Sequence, residues 1–272
     1  MAMYKPGRIV LSILIAAMLV YLFLPLVSIF ISKNPVLLLE KLNTPLSIQA
    51  LWLSVRTTFV SLLLIALFGT PLAYWLAKNE FRGKKWLEVA LQMPIVAPPA
   101  VAGVGLLLVF GKKGLLGDML SVWGIGIPFT SIAVVLAQLF MSAPFFVAAA
   151  RQAFAAVDDQ LIAVSRTLGV SRWKTFFRVT VPLALPGLLS GIALSWARAL
   201  GEFGATMMFA GNLPGKTQTL PLAIFTAMES DADVAVAISA LLLTVSFLLL
   251  MLVGLVDSRM RGVLSVREKG DV

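Results

Sequence analysis

Two opposite charges inside one apolar segment are the first candidates for chemistry in this chain. Arg198 and Glu202 lie four residues apart within residues 183–209, where most neighbours are small or apolar. Residues at this spacing face each other on a helix, and pairing lowers the cost of placing both charges at membrane depth. Two interpretations stay open: a structural ion pair that sets the orientation of the helix, or a gate or pathway element for an anion.

Groups for covalent or metal chemistry are missing from the sequence. It contains no cysteine and no histidine, which excludes thiol catalysis, disulfides, histidine acid–base catalysis and the usual zinc sites. The segment Gly211–Thr217 resembles a phosphate-binding loop, but three residues separate Gly211 from Gly215 where such a loop needs four. We predict an outer turn there, no catalytic residue, no metal site and no cofactor bound by this chain.

Membrane helices must position these residues. The chain is 60% hydrophobic and 13% charged, with a mean hydropathy of +0.97, whereas soluble domains carry about 25% charge. Apolar runs long enough to cross a hydrocarbon core of about 30 Å recur along the sequence. They predict an all-α, polytopic membrane protein with six transmembrane helices, at residues 9–31, 53–76, 87–110, 129–150, 183–209 and 234–256.

The basic residues predict which loops lie inside. With the N-terminus inside, most of the 22 Lys and Arg residues fall on the cytoplasmic side, as expected where inner loops are enriched in cations. We therefore expect both termini and residues 158–181 in the cytoplasm. The basic residues assigned to that side are Lys5, Arg8, Lys78, Arg82, Lys84, Lys85, Arg151, Arg166, Arg172, Lys174, Arg178, Arg259, Arg261, Arg267 and Lys269.

The same patterns divide the chain. We expect an N-terminal helix with an outer loop over residues 1–49, a helical domain over 50–256 and a cytoplasmic tail over 257–272. A retained helix is favoured over a cleaved signal peptide at residues 9–31, because the apolar run is long and no small-x-small cleavage site follows it. The net charge of +9 lies in the loops, and no aromatic-interleaved basic patch indicates nucleic acid.

Two spans have features beyond hydrophobicity. Pro98 and Pro99 remove two backbone donors from the third span, so it cannot be a regular helix throughout. Such a break lines a cavity or is absorbed as a kink by neighbouring helices. Small residues in the fifth span allow close helix approach, and both ordinary packing and a pore-lining or dimer-interface role stay open. The small residues form two ridges: Gly187, Gly191, Ser195 and Ala199, and Ala197, Gly201 and Ala205.

A basic, amphipathic insert between the fourth and fifth spans is the most distinctive segment. Over Asp158–Gly187 we predict two short helices outside the bilayer. Asp158 or Asp159 can cap the first helix, and Gly169 supplies the left-handed turn that ends it. Ser171 can cap the second helix, which carries Trp173, and Pro182 introduces the next span.

The order of these residues resembles the signature loop of ABC-importer permeases. That loop has a Glu-Ala-Ala start, a glycine and an Ile-x-Leu-Pro end; here Gly169 matches the glycine and Val179–Pro182 matches the end. The start departs, because Ala163-Val164-Ser165 lacks the glutamate. Further on, Ala197–Thr206 and Phe209–Pro221 are similar to the permease subunit of molybdate importers, and Gly201–Gly204 is also similar to sulfate permeases.

The resemblance implies a type I importer in a bacterial or archaeal plasma membrane. Two copies of the chain would pair, each bound to a cytoplasmic ATPase subunit that holds ATP and Mg, and an extracytoplasmic binding protein would deliver the oxyanion. The insert would dock in a cleft of the ATPase and transmit its closure. The implied coupling residues are Asp159, Leu161, Ala163, Ser165, Leu168, Gly169, Arg172, Trp173 and Pro182; the pathway or gate candidates are Pro98, Pro99, Ser195, Arg198, Glu202 and Thr206.

Three functions remain distinct at this point. The first is the permease subunit of an ATP-driven molybdate importer, with tungstate, sulfate or thiosulfate as alternative anions. The second is an ion-coupled secondary transporter that works alone, which would require coupling carboxylates in several spans, whereas Glu202 is the one that is convincingly placed. The third is a membrane scaffold that transports nothing. The chain itself is not expected to be an enzyme.

Overall fold

The computed structural model describes the backbone of residues 5–270 and the side chains of Arg8 and residues 10–255. This described part consists of helices and connecting turns and contains no strand. The helices are α1 (Lys5–Ile31), α2 (Pro35–Leu42), α3 (Pro45–Lys78), α4 (Lys84–Val96), α5 (Pro99–Phe110), α6 (Gly117–Val122), α7 (Ser131–Ala155), α8 (Asp159–Thr167), α9 (Arg172–Thr175), α10 (Val181–Leu200), α11 (Gly204–Ala210), α12 (Leu220–Ser230) and α13 (Ala232–Gly270).

The number of candidate spans agrees with the sequence. Among the residues that the structure describes, five helical stretches are long and apolar enough to cross a membrane, and α4 with α5 forms a sixth if that bent pair is one span. The all-α membrane architecture is therefore confirmed. The five stretches are Val10–Ile31, Pro45–Lys78, Ser131–Ala155, Arg172–Leu200 and Ala232–Leu255.

Neither predicted domain boundary coincides with a break in the helices. Residue 49 falls inside α3, which begins at Pro45 because the side chain of Thr44 accepts a hydrogen bond from the backbone N–H of Ser47. The predicted tail over 257–272 continues the backbone helix of α13 as far as Gly270. Residues 271–272, and the side chains of Lys5, Arg259, Arg261, Arg267 and Lys269 that entered the predicted orientation, lie outside the described residues.

Small residues let α3, α7 and α10 pack closely at the centre. A Cβ added at Gly187 on α10 would lie 2.5 Å from the Cβ of Ala153 on α7, and one added at Gly69 on α3 would lie 2.8 Å from Phe146 Cδ1. Ser195 Oγ donates a hydrogen bond to the backbone oxygen of Ser142 at 2.9 Å. The first small-residue ridge of the fifth span is therefore a packing surface within the chain.

The third span is broken, as the prolines predict. The helix ends at Val96 and resumes at Pro99, and the axes of α4 and α5 differ by 110°. Pro98 cannot donate a backbone hydrogen bond, and the residue before a proline is displaced from the helical region. Ala97 accordingly has φ −62° and ψ 130°.

The fifth span is not one helix to residue 209, so that prediction is wrong. The helix ends at Leu200, three residues intervene, and α11 begins at Gly204. The Glu202 side chain explains the break, because its Oε1 accepts a hydrogen bond from the N–H of Ala205 at 2.8 Å and so satisfies a donor at the start of α11. Gly201 and Ala205 consequently do not share a helical ridge with Ala197.

Candidate functional site

The predicted turn between two short helical segments forms at one end of the bundle. Asp158 Oδ1 accepts a hydrogen bond from the N–H of Gln160 at 2.8 Å, so Asp158 is the cap and Asp159 is the first residue of α8. Gly169 has φ +80°, the left-handed conformation that its position required. Ser171 Oγ accepts from the N–H of Lys174 at 3.4 Å, as expected of the second cap. We call residues 158–175 the knob.

The second helix of the knob is not a separate element, contrary to the prediction. After the four residues of α9, a π-helical segment over Phe176–Thr180 joins it directly to α10. Pro182 therefore lies near the start of α10 inside a continuous helical stretch, Arg172–Leu200. A π-helical turn contains one extra residue and often marks a functional position. Because the helical stretch is unbroken, the second helix of the knob is continuous with α10.

Three large apolar side chains on the knob are exposed. Leu168 is 77% exposed, Trp173 is 75% exposed and Leu161 is 49% exposed. Exposed apolar side chains on a segment that is otherwise polar indicate an interaction surface. Of the other predicted coupling residues, Ser165 is half-buried, and the exposed ones are Asp159, Ala163, Gly169, Arg172 and Pro182.

Side-chain contacts hold α8 against α9 and pack the adjoining π-helical segment against α3 and α7. Ser165 Oγ lies 3.0 Å from Thr175 Oγ1, which joins α8 to α9. Below them, the ring of Tyr74 on α3 meets those of Phe154 on α7 and Phe176 in the π-helical segment edge-on, at centroid distances of 5.4 and 4.9 Å. The aromatic cluster gives the knob a rigid base.

The predicted Arg198–Glu202 pair forms. Arg198 Nη2 lies 2.6 Å from Glu202 Oε2, and the two side chains are 26% and 0% exposed. The N–H groups of Arg198 do not point at this oxygen, so the contact is an ion pair without an aligned hydrogen bond. Glu202 thus has two partners, the guanidinium and the N–H of Ala205, which favours a structural role for the carboxylate.

The breaks in the third and fifth spans meet each other. A Cβ added at Gly204 would lie 2.7 Å from the Cβ of Pro99, and one added at Gly103 would lie 2.6 Å from the Cβ of Met208. Pro98, Pro99, Gly201 and Phe203 remain exposed around this contact. Irregular backbone at membrane depth is tolerated where protein buries it or where it lines a water-filled cavity. The sequence predicted one break but not its contact with the other.

Two further pathway candidates are buried, as Glu202 is. Ser195 is 0% exposed and is used in the contact between α10 and α7, which does not favour a pathway role. Thr206 is also 0% exposed, and its hydroxyl has no hydrogen-bond partner among the described residues. Their proposed roles stay predictions.

A buried polar row on α3 was missed by the sequence analysis. Ser61 Oγ contacts Gln138 Oε1 at 3.2 Å and the backbone oxygen of Val135 at 3.1 Å. Thr58 Oγ1 accepts from Trp196 Nε1 at 3.2 Å, and Ser54 Oγ accepts from the N–H of Leu220 at 2.7 Å. Ser54, Thr58 and Ser61 recur at three and four residues, so their helical spacing in an apolar span was the available signal.

The segment that resembles a phosphate-binding loop is a turn, as predicted. Gly211 and Gly215 have φ of +73° and +71°. The carbonyl of Leu213 accepts hydrogen bonds from the N–H groups of Lys216, Thr217 and Gln218. Those donors are thereby turned inward, and they form no cradle for a phosphate.

Two ion pairs tie α2 and the link before it to Asp231, between α12 and α13, and to the start of α13. Lys41 Nζ donates a hydrogen bond to Asp231 Oδ2 at 2.7 Å, and Lys33 lies 2.7 Å from Asp233. The hydrogen bond from Lys41 holds the pKa of Asp231 below its ordinary value of 3.8, and the same bond raises the pKa of Lys41 above 10.5. We call these two ion pairs the α2 clasp.

Comparison with known proteins gives one consistent group. Residues 69–262 match the family model described as binding-protein-dependent transport system inner membrane component. The molybdenum transport system permease protein ModB of Mycobacterium tuberculosis is 42% identical over 236 residues, which cover 87% of this chain and 89% of that protein. ModB of Escherichia coli K12 is 42% identical over 183 residues, or 67% of this chain and 80% of that protein.

The fold has a counterpart among solved structures. A bacterial ABC transporter involved in the import of the acidic polysaccharide alginate contains a chain that superposes with a TM-score of 0.73, covering 94% of this chain and 96% of its own length. At 16% sequence identity, this similarity concerns the fold alone.

Proposed function

The chain belongs to the family of binding-protein-dependent transport system inner membrane components, and we propose that it is the permease subunit of an ATP-driven molybdate importer. Its fold is that of a type I ABC importer permease. The observation that carries the proposal is the knob, an exposed apolar surface held rigidly at the end of the fifth span. The relatives named above support molybdate as the transported anion.

The knob fits a partner that supplies mechanical work. We propose that a cytoplasmic ATPase subunit binding ATP and Mg covers Leu161, Leu168 and Trp173. The described residues contain no group of three or more acidic side chains that could hold a metal ion, and the Gly211–Thr217 turn directs its N–H groups inward. We assign hydrolysis to that partner and translocation of the anion to this chain.

The two broken spans are the proposed pathway. Arg198 is partly exposed one turn before the break that follows α10, and exposed prolines lie at the break it meets. A guanidinium at this place lowers the electrostatic cost of a dianion in the membrane. Glu202 holds Arg198 and caps α11, so the pair combines a structural carboxylate with a cation that an anion can approach. Pro98, Pro99 and Thr206 belong to the same proposed gate.

Two further partners complete the proposed transporter. An extracytoplasmic oxyanion-binding protein delivers the anion, and a second copy of this chain covers the exposed faces of α5 and α11. An ion-coupled secondary transporter remains the competing function. It is not favoured, because Glu202 is already engaged by Arg198 and by the N–H of Ala205.

The test is assembly together with anion selection. The chain is co-expressed with the ATPase and the binding protein encoded beside it, and the complex is purified through the permease. We expect one ATPase subunit per permease copy, and calorimetry should show that the binding protein prefers molybdate and tungstate to sulfate. Failure to retain the ATPase would contradict the assignment, and a preference for sulfate would correct the anion.

The proposed orientation has its own test. The native chain has no cysteine, so single cysteines report sidedness directly. In intact cells, a cysteine at Gln152 or Lys174 should resist an impermeant thiol reagent, because the knob end is proposed to be cytoplasmic. A cysteine at Lys216, at the other end of the bundle, should react. The reverse pattern would overturn the proposed orientation.

A further inference from the structure

A lysine at the end of α3 binds residues at the junction between α7 and the knob. Lys78 Nζ donates hydrogen bonds to the backbone oxygen of Val157 at 2.8 Å and to Asp159 Oδ1 at 2.6 Å. Val157 lies in the link between α7 and α8, and Asp159 is the first residue of α8. One ammonium group therefore joins the end of α3 to the start of α8 and to the link before it, about 80 positions later in the sequence.

The two hydrogen bonds of Lys78 differ in how strongly they restrain the knob. The Asp159 side chain is 81% exposed, so its attraction to the ammonium is weakened by solvent. Val157 is 5% exposed and the Lys78 side chain is 15% exposed. A charge-assisted hydrogen bond in such surroundings is stronger than a neutral one, and its loss leaves a carbonyl without that partner. The Val157 contact is therefore the main restraint.

Lys78 is one of three fixed points on α8. It holds the first residue of the helix, Ile162 packs on the buried cluster of α3, α7 and α10, and Ser165 contacts Thr175 near its end. The other two contacts join α8 to the core or to α9, whereas Lys78 alone among these three ties the start of α8 to the end of α3. Without the contacts of Lys78, the start of α8 would be free to move relative to α3, and the helix would rotate about Ser165.

We infer that Lys78 is a positioning residue for coupling, which makes the knob and α3 move as one body when a partner pushes on α8. This inference rests on the proposed function, in which the partner is an ATPase. A force on an untied α8 would be dissipated by rotation of that helix. With the tie, the same force displaces α3 and α7, and through their packing it reaches the two broken spans.

The chain offers a closely matched control. Lys84 Nζ lies 2.6 Å from Glu80 Oε1, and the side chains of that pair are 15% and 87% exposed. The Lys78–Asp159 pair has the same length and exposures of 15% and 81%. Glu80 lies in the link from α3 to α4 and Lys84 is the first residue of α4, so this pair joins neighbouring residues and includes no residue of the knob. Lys84→Met therefore removes an equal charge and an equal ion pair without touching α8.

The first experiment uses the complete transporter in proteoliposomes, with the ATPase, the binding protein and internal ATP. Lys78→Met should retain the ATPase and its basal hydrolysis, while molybdate imported per ATP falls about fivefold or more, the scale expected for one lost charge-assisted hydrogen bond. Lys78→Arg keeps donors for both oxygens and should recover more than half of the ratio. Lys84→Met should match the native transporter.

The second experiment needs no transport. A spin label at a cysteine replacing Gln160, an exposed position on α8, reports the motion of the knob in the purified permease. Lys78→Met should increase the mobility of the label, and Lys84→Met should not. If Lys78→Met does not accumulate, Asp159→Asn on the exposed side carries the same test with a smaller expected increase.

The outcomes separate the inference from the proposed function. An unchanged import ratio and unchanged label mobility in Lys78→Met would overturn the inference, and so would an equal effect of Lys84→Met. If even the native complex imports no anion, the proposed function has failed, and the mobility of the label still decides whether Lys78 fixes α8.

Discussion

Removing Arg198 should destabilise the protein more than removing the charge of Glu202. The side chain of Glu202 is 0% exposed, whereas that of Arg198 is 26% exposed. Arg198→Met therefore leaves a fully buried carboxylate without its cation, while Glu202→Gln leaves a guanidinium that is still partly exposed. The amide of Gln also preserves an acceptor for the N–H of Ala205.

The magnitudes follow from burial. Breaking a buried pair on one side costs about 3–5 kcal/mol, and Arg198→Met should fall near the lower limit because Ala205 still donates to the carboxylate. Glu202→Gln should cost about 1–2 kcal/mol. The double variant should lose less than the sum of the two, with a coupling energy of about 1–2 kcal/mol, since residues in contact are not additive.

Thermal unfolding of the detergent-purified permease measures these values. At this chain length a change of 1 kcal/mol shifts Tm by about 2–4 °C, so Arg198→Met should lower Tm by about 6 °C or more. The control is Arg56→Met, which removes an exposed arginine from α3 and should change stability by less than about 0.5 kcal/mol. Equal losses for Arg198→Met and Glu202→Gln, or strict additivity in the double variant, would refute the reasoning.

Uptake by the same variants separates the two roles of the pair. If the role is structural, uptake by all three variants should follow the amount of folded protein. If Arg198 contacts the anion, Arg198→Met at permissive temperature should be folded and inactive, and the double variant should stay inactive.

Three further predictions concern backbone, packing and pH. Gly169 has φ +80° and an added Cβ would meet no atom within 4 Å, so Gly169→Val should act through backbone strain of about 1 kcal/mol or more; the permease should insert normally and bind the ATPase less well in a pull-down. Gly187→Ala places a Cβ 2.5 Å from that of Ala153 and should lower stability by about 1–3 kcal/mol, and adding Ala153→Gly should restore part of the Tm. Because the folded pKa of Asp231 is lowered and that of Lys41 is raised, the α2 clasp should contribute fully between about pH 4 and pH 10. That contribution should be lost as the pH falls through the lowered pKa of Asp231 or rises through the raised pKa of Lys41, so Asp231→Asn should reduce Tm at pH 7, and the reduction should shrink as the pH falls below 3.8.

Local features were predictable from sequence because neighbours along the chain determine them. The positive φ at Gly169, the caps at Asp158 and Ser171, and the break before Pro99 all depend on residues within one or two turns. The Arg198–Glu202 ion pair also joins residues only four positions apart, although Glu202 lies in the link after α10 and not on the helix.

Features that depend on tertiary packing were not predictable. The contact between Pro99 and Gly204 joins spans far apart in sequence, and the end of α10 at Leu200 lies inside an apolar run. Hydropathy does not separate a helix that ends inside an apolar run from one that continues. The hydrogen bond from Lys78 Nζ to the backbone oxygen of Val157 likewise forms only because the ends of α3 and α7 are adjacent.

The relation between the knob and the fifth span was misjudged for a similar reason. The polarity of residues 158–181 indicated a detached helix pair, but polar residues also extend a membrane helix beyond the bilayer. The π-helical segment at Phe176–Thr180 accommodates that extension without a break. This continuity matters for function, because a force on the knob then acts directly on α10.

Transport by the purified components tests the central claim most directly. The permease is reconstituted with the ATPase and the binding protein, and labelled molybdate uptake is measured with and without internal ATP. We predict that molybdate accumulates only when ATP, the ATPase and the binding protein are all present. Tungstate should inhibit this uptake more strongly than sulfate does. Molybdate uptake by the permease alone, driven by an ion gradient and indifferent to ATP, would contradict the account.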